Sequence, residues 1–218
     1  MTRLEFTNSA LAIIGEVPID DVDQAVPRAQ RANAVFLPLL GRFLREFPWN
    51  WAQTRVVLEP ASPVPLFEWS ERYELPENFV TLVQVNGVSC GPTKVGGIYQ
   101  IEGTNLLLQA STAQIQFVYR PIAESEVDPF LALMDPLSAD AFTVLLASKL
   151  ANPLARDSNS LGQALYQQYM NADLPRARTK NAQESKLPVY PAAIDSRSIR
   201  ARSVWGGGSG VYPGISDL

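Results

Sequence analysis

The spacing of apolar residues changes twice along this chain, and that change constrains the fold more than any single motif. Over residues 25–47, Ala32, Val35, Phe36, Leu39, Leu40, Phe43 and Phe47 recur at steps of three and four, the period of one helical face. Pro27 suits the first turn of that helix, and Pro38 predicts a kink or a split in it. Over residues 52–120 the period falls to two. Ala113-Gln-Ile-Gln-Phe-Val-Tyr alternates apolar and polar residues, as a half-buried strand does. Thr54 to Leu58 reads as another strand. Thr81-Leu-Val-Gln-Val runs into Asn86-Gly87, a strong hairpin signal, and a second hairpin turns at residues 102–105. About five short strands result, antiparallel because their connections are short.

Helical spacing returns after Pro129. Phe130, Leu133, Met134, Leu137, Ala141, Val144, Leu145, Ser148 and Leu150 predict one long helix that Pro136 can break, ending near Asn152-Pro153. Asp157-Ser-Asn-Ser caps a last helix over residues 160–182, with Leu161, Leu165, Tyr169 and Ala172 as its stripe and a kink at Pro175. A short helix over residues 7–15, capped by Thr7, Asn8 or Ser9 and closed by Gly15, precedes them all. Trp49 and Trp51 then wedge between helix and sheet, or offer an aromatic platform to a ligand. The expected fold class is α+β. Residues 1–51 and 121–180 form a helical bundle, residues 52–120 a small antiparallel β insertion, and residues 181–218 an extended C-terminal arm.

That arm breaks every period with Pro, Gly and Ser, yet it keeps Val189, Tyr190, Ile194, Ile199, Val204, Trp205, Tyr212 and Ile215. Disordered tails are poor in such residues, so these read as anchors on a strap that lies on another surface. Charge separates it from the body. After Leu174 seven basic residues face three acidic ones, a balance of +4, and the chain's total of −4 leaves −8 for residues 1–174. Such asymmetry suits an arm docking on an acidic surface or nucleic acid, or a solvated basic tail. The candidate partner contacts are Tyr190, Arg197, Arg200, Arg202, Trp205 and Tyr212. The charged fraction of 18%, against roughly 25% for an average soluble protein, fits either a subunit with surface inside an assembly or drift in composition.

Few catalytic devices are available. With no histidine, imidazole metal sites and Ser/His/Asp or Cys/His arrangements are excluded. The single cysteine, Cys90, excludes an intrachain disulfide and reads as a bystander thiol. Gly91-Pro-Thr-Lys-Val-Gly-Gly lacks phosphate-loop spacing. Asp20, Asp21 and Asp23 lack the glycine and terminal glutamate of a helix-loop-helix calcium site, and they suit an acidic lead-in to the next helix. Glu68, Glu71, Glu74 and Glu77, among Trp69 and Tyr73, are the remaining catalytic option, paired carboxylates for glycan hydrolysis. Otherwise Glu71 and Arg72 decorate the entry to a strand while Trp69, Tyr73, Leu75 and Phe79 pack inward. A nucleic-acid module is weighed against by the acidic body and a sequence pI of about 5.0. No catalytic residue, cofactor or metal is expected. The start lacks a signal peptide's apolar run, and no stretch approaches a membrane span, which predicts a soluble protein made in a reducing cytoplasm.

Three stretches together resemble the head-to-tail adaptor proteins of tailed bacteriophages, of the tail tubular protein A type. They are Ala10-Leu-Ala-Ile-Ile-Gly-Glu-Val-Pro-Ile with its acidic loop and Ala/Arg helix, and Trp49-Asn-Trp to Trp69-Ser-Glu-Arg-Tyr-Glu-Leu-Pro-Glu-Asn-Phe-Val. The third is the late helices with Leu146-Ala-Ser-Lys-Leu-Ala and Ala177 to Glu184, leading into an Arg-rich tail. The resemblance implies a structural virion protein without a catalytic signature. It implies a dodecameric ring of this chain under the portal protein of a DNA-filled capsid, joined to a tail nozzle or tail tube protein. The ring would line the channel through which genomic DNA passes without specific binding. It also implies a helical bundle with a β insertion and an extended C-terminal arm. Location in the virion neck follows, with host cytoplasm during assembly. A different neck or tail-completion protein would share these features.

Overall fold

The structure, a computed structural model, describes residues 1–90, 99–154 and 158–184. It is a mixed α+β fold: helices from both ends of this span flank two small antiparallel sheets.

The helices gather around α4 (Pro136–Leu154), which α1 (Arg3–Ile13), α2 (Pro27–Glu46), α5 (Ser158–Gln168) and α6 (Leu174–Glu184) all contact. Every residue from Ala141 to Ser148 is buried, so α4 has no solvent face over two turns. A helix apolar on all sides needs neighbours on all sides. Phe142 meets the rings of Phe6 and Phe36 edge-on at 5.6 and 5.3 Å and that of Phe43 at 5.5 Å. Trp49 continues the cluster, stacked on Phe43 at 4.7 Å, and its indole N–H donates to the Phe43 carbonyl at 2.9 Å.

Several helix limits differ from those the sequence pattern predicts. α1 begins at Arg3 rather than Thr7, because Thr2 and Glu5 form a reciprocal capping box. Thr7 instead donates its hydroxyl to the Arg3 carbonyl, and Asn8 uses its side chain on Ile19, accepting from the amide and donating to the carbonyl. α2 continues through Pro38 without splitting. Pro38 lies on the exposed face, where water can take the carbonyl that its missing N–H leaves free. The break allowed at Pro136 is present, so the stretch is two helices, α3 (Glu124–Leu131) and α4. Asp135 ends the join by accepting the amides of Leu137 and Ser138, both at 3.1 Å, with Pro136 as the first residue of α4. Before Pro175 the chain makes a π turn over Tyr169–Asp173, in which the Leu174 amide bonds to the Tyr169 carbonyl. Pro175 has no N–H for the next helical bond, and the wider turn absorbs that break.

The sheet region holds more strands than the five expected. One sheet runs β1 (Gln53–Leu58), β7 (Ala113–Tyr119), β3 (Phe79–Val85), β4 (Val88–Ser89) in spatial order, and the other β2 (Glu71–Glu74), β6 (Asn105–Leu108), β5 (Tyr99–Glu102). Both predicted hairpins form, β3–β4 at Asn86-Gly87 and β5–β6 around Gly103, with positive φ at all three residues. β2 lies where Glu71 and Arg72 are expected only at the entry to a strand; at four residues it is too short to show a period. Tyr73, Leu106 and Leu108 of the smaller sheet pack on Leu82, Ile115 and Phe117 of the larger as a second core. Alternation in β7 stops at Val118, which is also buried. There the sheet's other face meets the helices, and Val80 and Val118 join the core that contains Phe130 and Trp49.

Candidate interaction surfaces

Two sites on the described surface combine unusual chemistry with a defined shape. The first is the corner after α2. Glu46, with a side chain only 18% exposed, accepts from the Tyr169 phenol at 2.7 Å and sits 3.4 Å from Arg42 and 3.7 Å from Arg178. Arg178 also donates to the Glu46 carbonyl at 2.9 Å, and Arg42 donates to the Tyr166 hydroxyl at 2.9 Å. Burial, then the hydrogen bond to Glu46, pushes the Tyr169 phenol well above its ordinary range, so it stays a neutral donor. One turn further along α6, buried Asn181 accepts from the Asn50 amide at 2.9 Å, and its carbonyl accepts from the Asn50 side chain at 2.8 Å. The last helix is thereby fastened to the point where the chain enters the sheets. Residues 181–184, counted with the arm in the sequence, are helical here.

The second site is the smaller sheet, whose two faces carry opposite shapes. Partners in register share a face, so Tyr73, Leu106 and Ile101 lie on one side and Arg72, Leu107 and Gln100 on the other. The proline-rich loop between β1 and β2 folds over the Leu107 side. Trp69 donates to Gln100 at 3.1 Å, Arg72 donates to the Ser62 carbonyl, and Gln109 donates to the Glu68 carbonyl. Glu68, at φ 65°, turns the chain back towards β2. With the backbone held this way, Val64, Leu66 and Phe67 remain 57%, 96% and 75% exposed and line a hollow of about 320 Å³ with Trp69, Arg72 and Leu107. On the Ile101 side lies a cleft of about 770 Å³, lined by Leu75, Phe79, Val80 and Leu82 together with Arg45, Glu77 and Tyr99.

The sequence candidates fall as follows. Tyr190, Arg197, Arg200, Arg202, Trp205 and Tyr212 lie outside the described residues. Glu71 and Glu74 sit three apart on β2 and so occupy opposite faces. Glu77 borders the cleft, and Glu68 belongs to the loop on the other face. The four carboxylates therefore do not converge as hydrolysis requires. Tyr73, Leu75 and Phe79 pack inward, whereas Trp69 lies outward on Gln100. Trp49 is fully buried and presents no face to a ligand.

Asp20, Asp21 and Asp23 border a hollow with Glu124 and Asp128 around the buried Arg3. Arg3 pairs with Glu124 and donates to Asn33 at 3.2 Å, while its amide donates to Asp128 at 2.7 Å. Among the described residues no group of three carboxylate, thiol or imidazole side chains is arranged to hold a metal, and no helix is long and apolar enough to cross a membrane.

Two features escaped the sequence reading. Val64, Leu66 and Phe67 stand in a stretch that Pro60, Pro63 and Pro65 mark as a loop, so no period points to them. Three large apolar residues inside such a stretch were the available signal. The Glu46–Tyr169 bond had none, since its partners are far apart in sequence. No protein-family model matches the chain, and no curated protein does either.

Proposed function

We propose that this protein is a structural, non-enzymatic virion component, a head-to-tail adaptor that forms a ring between portal and tail and lines the DNA channel. In this reading the fold is a helical bundle carrying an inserted antiparallel β subdomain and an extended C-terminal arm. The observation that carries it is the pair of hydrogen bonds between Asn50 and Asn181. They tie the helices before and after the sheets together where the chain enters the sheets, which is how an insertion is built into a helical body. The three stretches that resemble phage adaptors span that same arrangement. Charge supports it too: residues 1–174, with a balance of −8, suit a channel through which DNA must slide, since phosphate-gripping cations would hold it back.

The basic arm meets the portal or a neighbouring subunit through Tyr190, Trp205 and Tyr212, flanked by Arg197, Arg200 and Arg202. Large aromatics and arginines dominate interface energies. The test is electron microscopy of the full chain with its neighbouring portal protein, where a coaxial ring is expected; a portal that stays bare ends the adaptor reading. Truncation belongs after Glu184, not before Asn181, so that the bonds to Asn50 survive. The shortened chain should stay folded and fail to join the portal. Normal joining would remove the arm from the interface.

A further inference from the structure

We infer that the arm of a neighbouring copy adds to the open edge of β1 as an extra strand, through its residues 198–205. This rests on the ring reading and names the surface of the neighbour that the arm meets.

β1 is the outer strand of its sheet, and among the described residues it pairs with β7 alone. A strand edge is a row of N–H and C=O groups, a ready template for another strand. Two other edges are short or covered. β4 has two residues. The edge of β2 meets the chain that leaves β1, since Pro60 bridges Tyr73 and the Ala61 amide donates to the Arg72 carbonyl at 2.7 Å. Residues 54–57 of β1 have only the β7 ladder beside them among the described residues. The inward face at this edge is also unfinished. Val56 and Leu58 pack on the second core yet stay half-buried, and Val57 on the other face is 62% exposed.

The arm's sequence holds a segment that fits. Ile199-Arg-Ala-Arg-Ser-Val-Trp alternates, so an extended backbone puts Ile199, Ala201 and Trp205 on one face and Arg200, Arg202 and Val204 on the other. The first face suits the open side of the core next to Val56, and the second suits solvent beside Val57. The segment has no proline, so every residue can offer an N–H to the ladder, unlike the earlier stretch with Pro188 and Pro191. The place where the described chain ends supplies the reach. α6 closes at Glu184, one turn past Asn181, which accepts from the Asn50 amide just before β1 begins. Residues 185–197 span up to about 43 Å when extended. That is twice the roughly 20 Å covered by the six residues of β1. A strap of that length can pass the β1 of its own copy and present the alternating segment to the next. Strand and edge are different surfaces, so the contact is heterologous and repeats around a ring. Main-chain bonds give such strand addition its affinity. Arg55 restricts the register, because Arg200 or Arg202 directly opposite it would be repelled.

The experiment places the photoreactive analogue benzoylphenylalanine at position 57 of the full chain and mixes it with isotope-labelled parent chain. The mixture is irradiated concentrated alone and again with portal, and the cross-linked peptides are read by mass spectrometry. Cross-links from position 57 to labelled residues 198–205 are expected. Cross-links to these residues only within the unlabelled chain, cross-links only elsewhere, or none in either sample would overturn the contact between copies. In parallel, Ala201→Pro with Val204→Pro keeps every charge and leaves residues 1–184 unchanged. Whichever side of the strand faces β1, one ladder N–H is lost. The cross-link yield should fall about tenfold, the upper range for a backbone hydrogen bond. An unchanged yield would mean that charge and not strand pairing holds the arm, and would refute the strand. Rings on the portal without the cross-link would refute the contact and leave the ring standing. The labelled cross-link combined with a bare portal would keep the contact and refute the ring.

Discussion

The helices and the sheets of this protein use their apolar residues differently. Around α4 the large aromatics are consumed: Phe6, Phe36, Phe43, Trp49 and Phe142 are fully buried against one another, and the apolar residues left exposed there, such as Leu37, Leu133 and Leu137, are aliphatic. In the sheet region Tyr73, Leu106 and Phe117 make a small core, while Val57, Val64, Leu66 and Phe67 remain in solvent. The first pattern is what stability requires. The second leaves apolar surface unused in the folded chain, and such surface usually belongs to a partner when it is contiguous. The contrast separates a helical platform from a β region that presents surfaces.

If the platform is where stability resides, its centre is the place to break it. Phe142→Ala removes the ring that three other aromatics face and leaves a cavity inside α4's surroundings. A loss of about 3–5 kcal/mol is expected, read from urea unfolding. That is a large part of the 5–15 kcal/mol typical of a domain.

A smaller effect is expected at the corner after α2. Tyr169→Phe deletes the donor to Glu46 but leaves Arg42 and Arg178 beside it. The expected loss is about 1.5 kcal/mol, the low end for a bond to a charged group. The pH dependence identifies the mechanism. The folded-state pKa of Tyr169 is raised above the unfolded value, near 10. Its contribution is therefore complete below about pH 10 and is lost as the pH rises beyond that, where the unfolded chain gives up the phenolic proton more readily. The parent should lose more stability than Tyr169→Phe between pH 9 and about 11. Parallel curves would show that Tyr169 serves only as packing.

Smaller again is the effect at Gly162, where α5 crosses α4. A Cβ there would lie 3.1 Å from the Ser148 carbonyl oxygen and 2.3 Å from the Asn152 side-chain oxygen. Asn152 is exposed and can turn away, but the Ser148 backbone cannot. Alanine gains about 1 kcal/mol of helix propensity over glycine, against about 1–3 kcal/mol for overpacking. A net loss of about 1 kcal/mol is expected for Gly162→Ala, and a rise in the urea midpoint would mean that the helices part without cost.

Much of this platform was legible in the sequence. The stripe Ala32, Phe36, Leu39, Leu40 and Phe43 is buried as its spacing implies. Of the later stripe, Phe130, Ala141, Val144, Leu145 and Leu150 are buried, but Leu133 and Leu137 are exposed, because Asp135 starts a new helix and resets the face. Periodicity cannot see such a reset, since it depends on one side chain capping two amides. β2 was illegible for a different reason: at four residues it is defined by its partner β6 and not by its own pattern. The outward tip was illegible because burial of an apolar residue in a loop depends on how the loop is tied down. Here Arg72, Trp69 and Gln109 tie it.

The smallest effect on stability is expected at that tip, and it decides whether the contrast between the two regions is real. Leu66 is 96% exposed and Phe67 75%, so neither buries enough area in the folded chain to matter there. Leu66→Ser with Phe67→Ser should leave the urea midpoint within about 0.5 kcal/mol of the parent. The same change should raise solubility at high concentration, because the apolar projection is gone. A fall of 2 kcal/mol or more would mean that the tip folds onto its own molecule. The apolar residues of the β region would then be spent on stability, like those around α4.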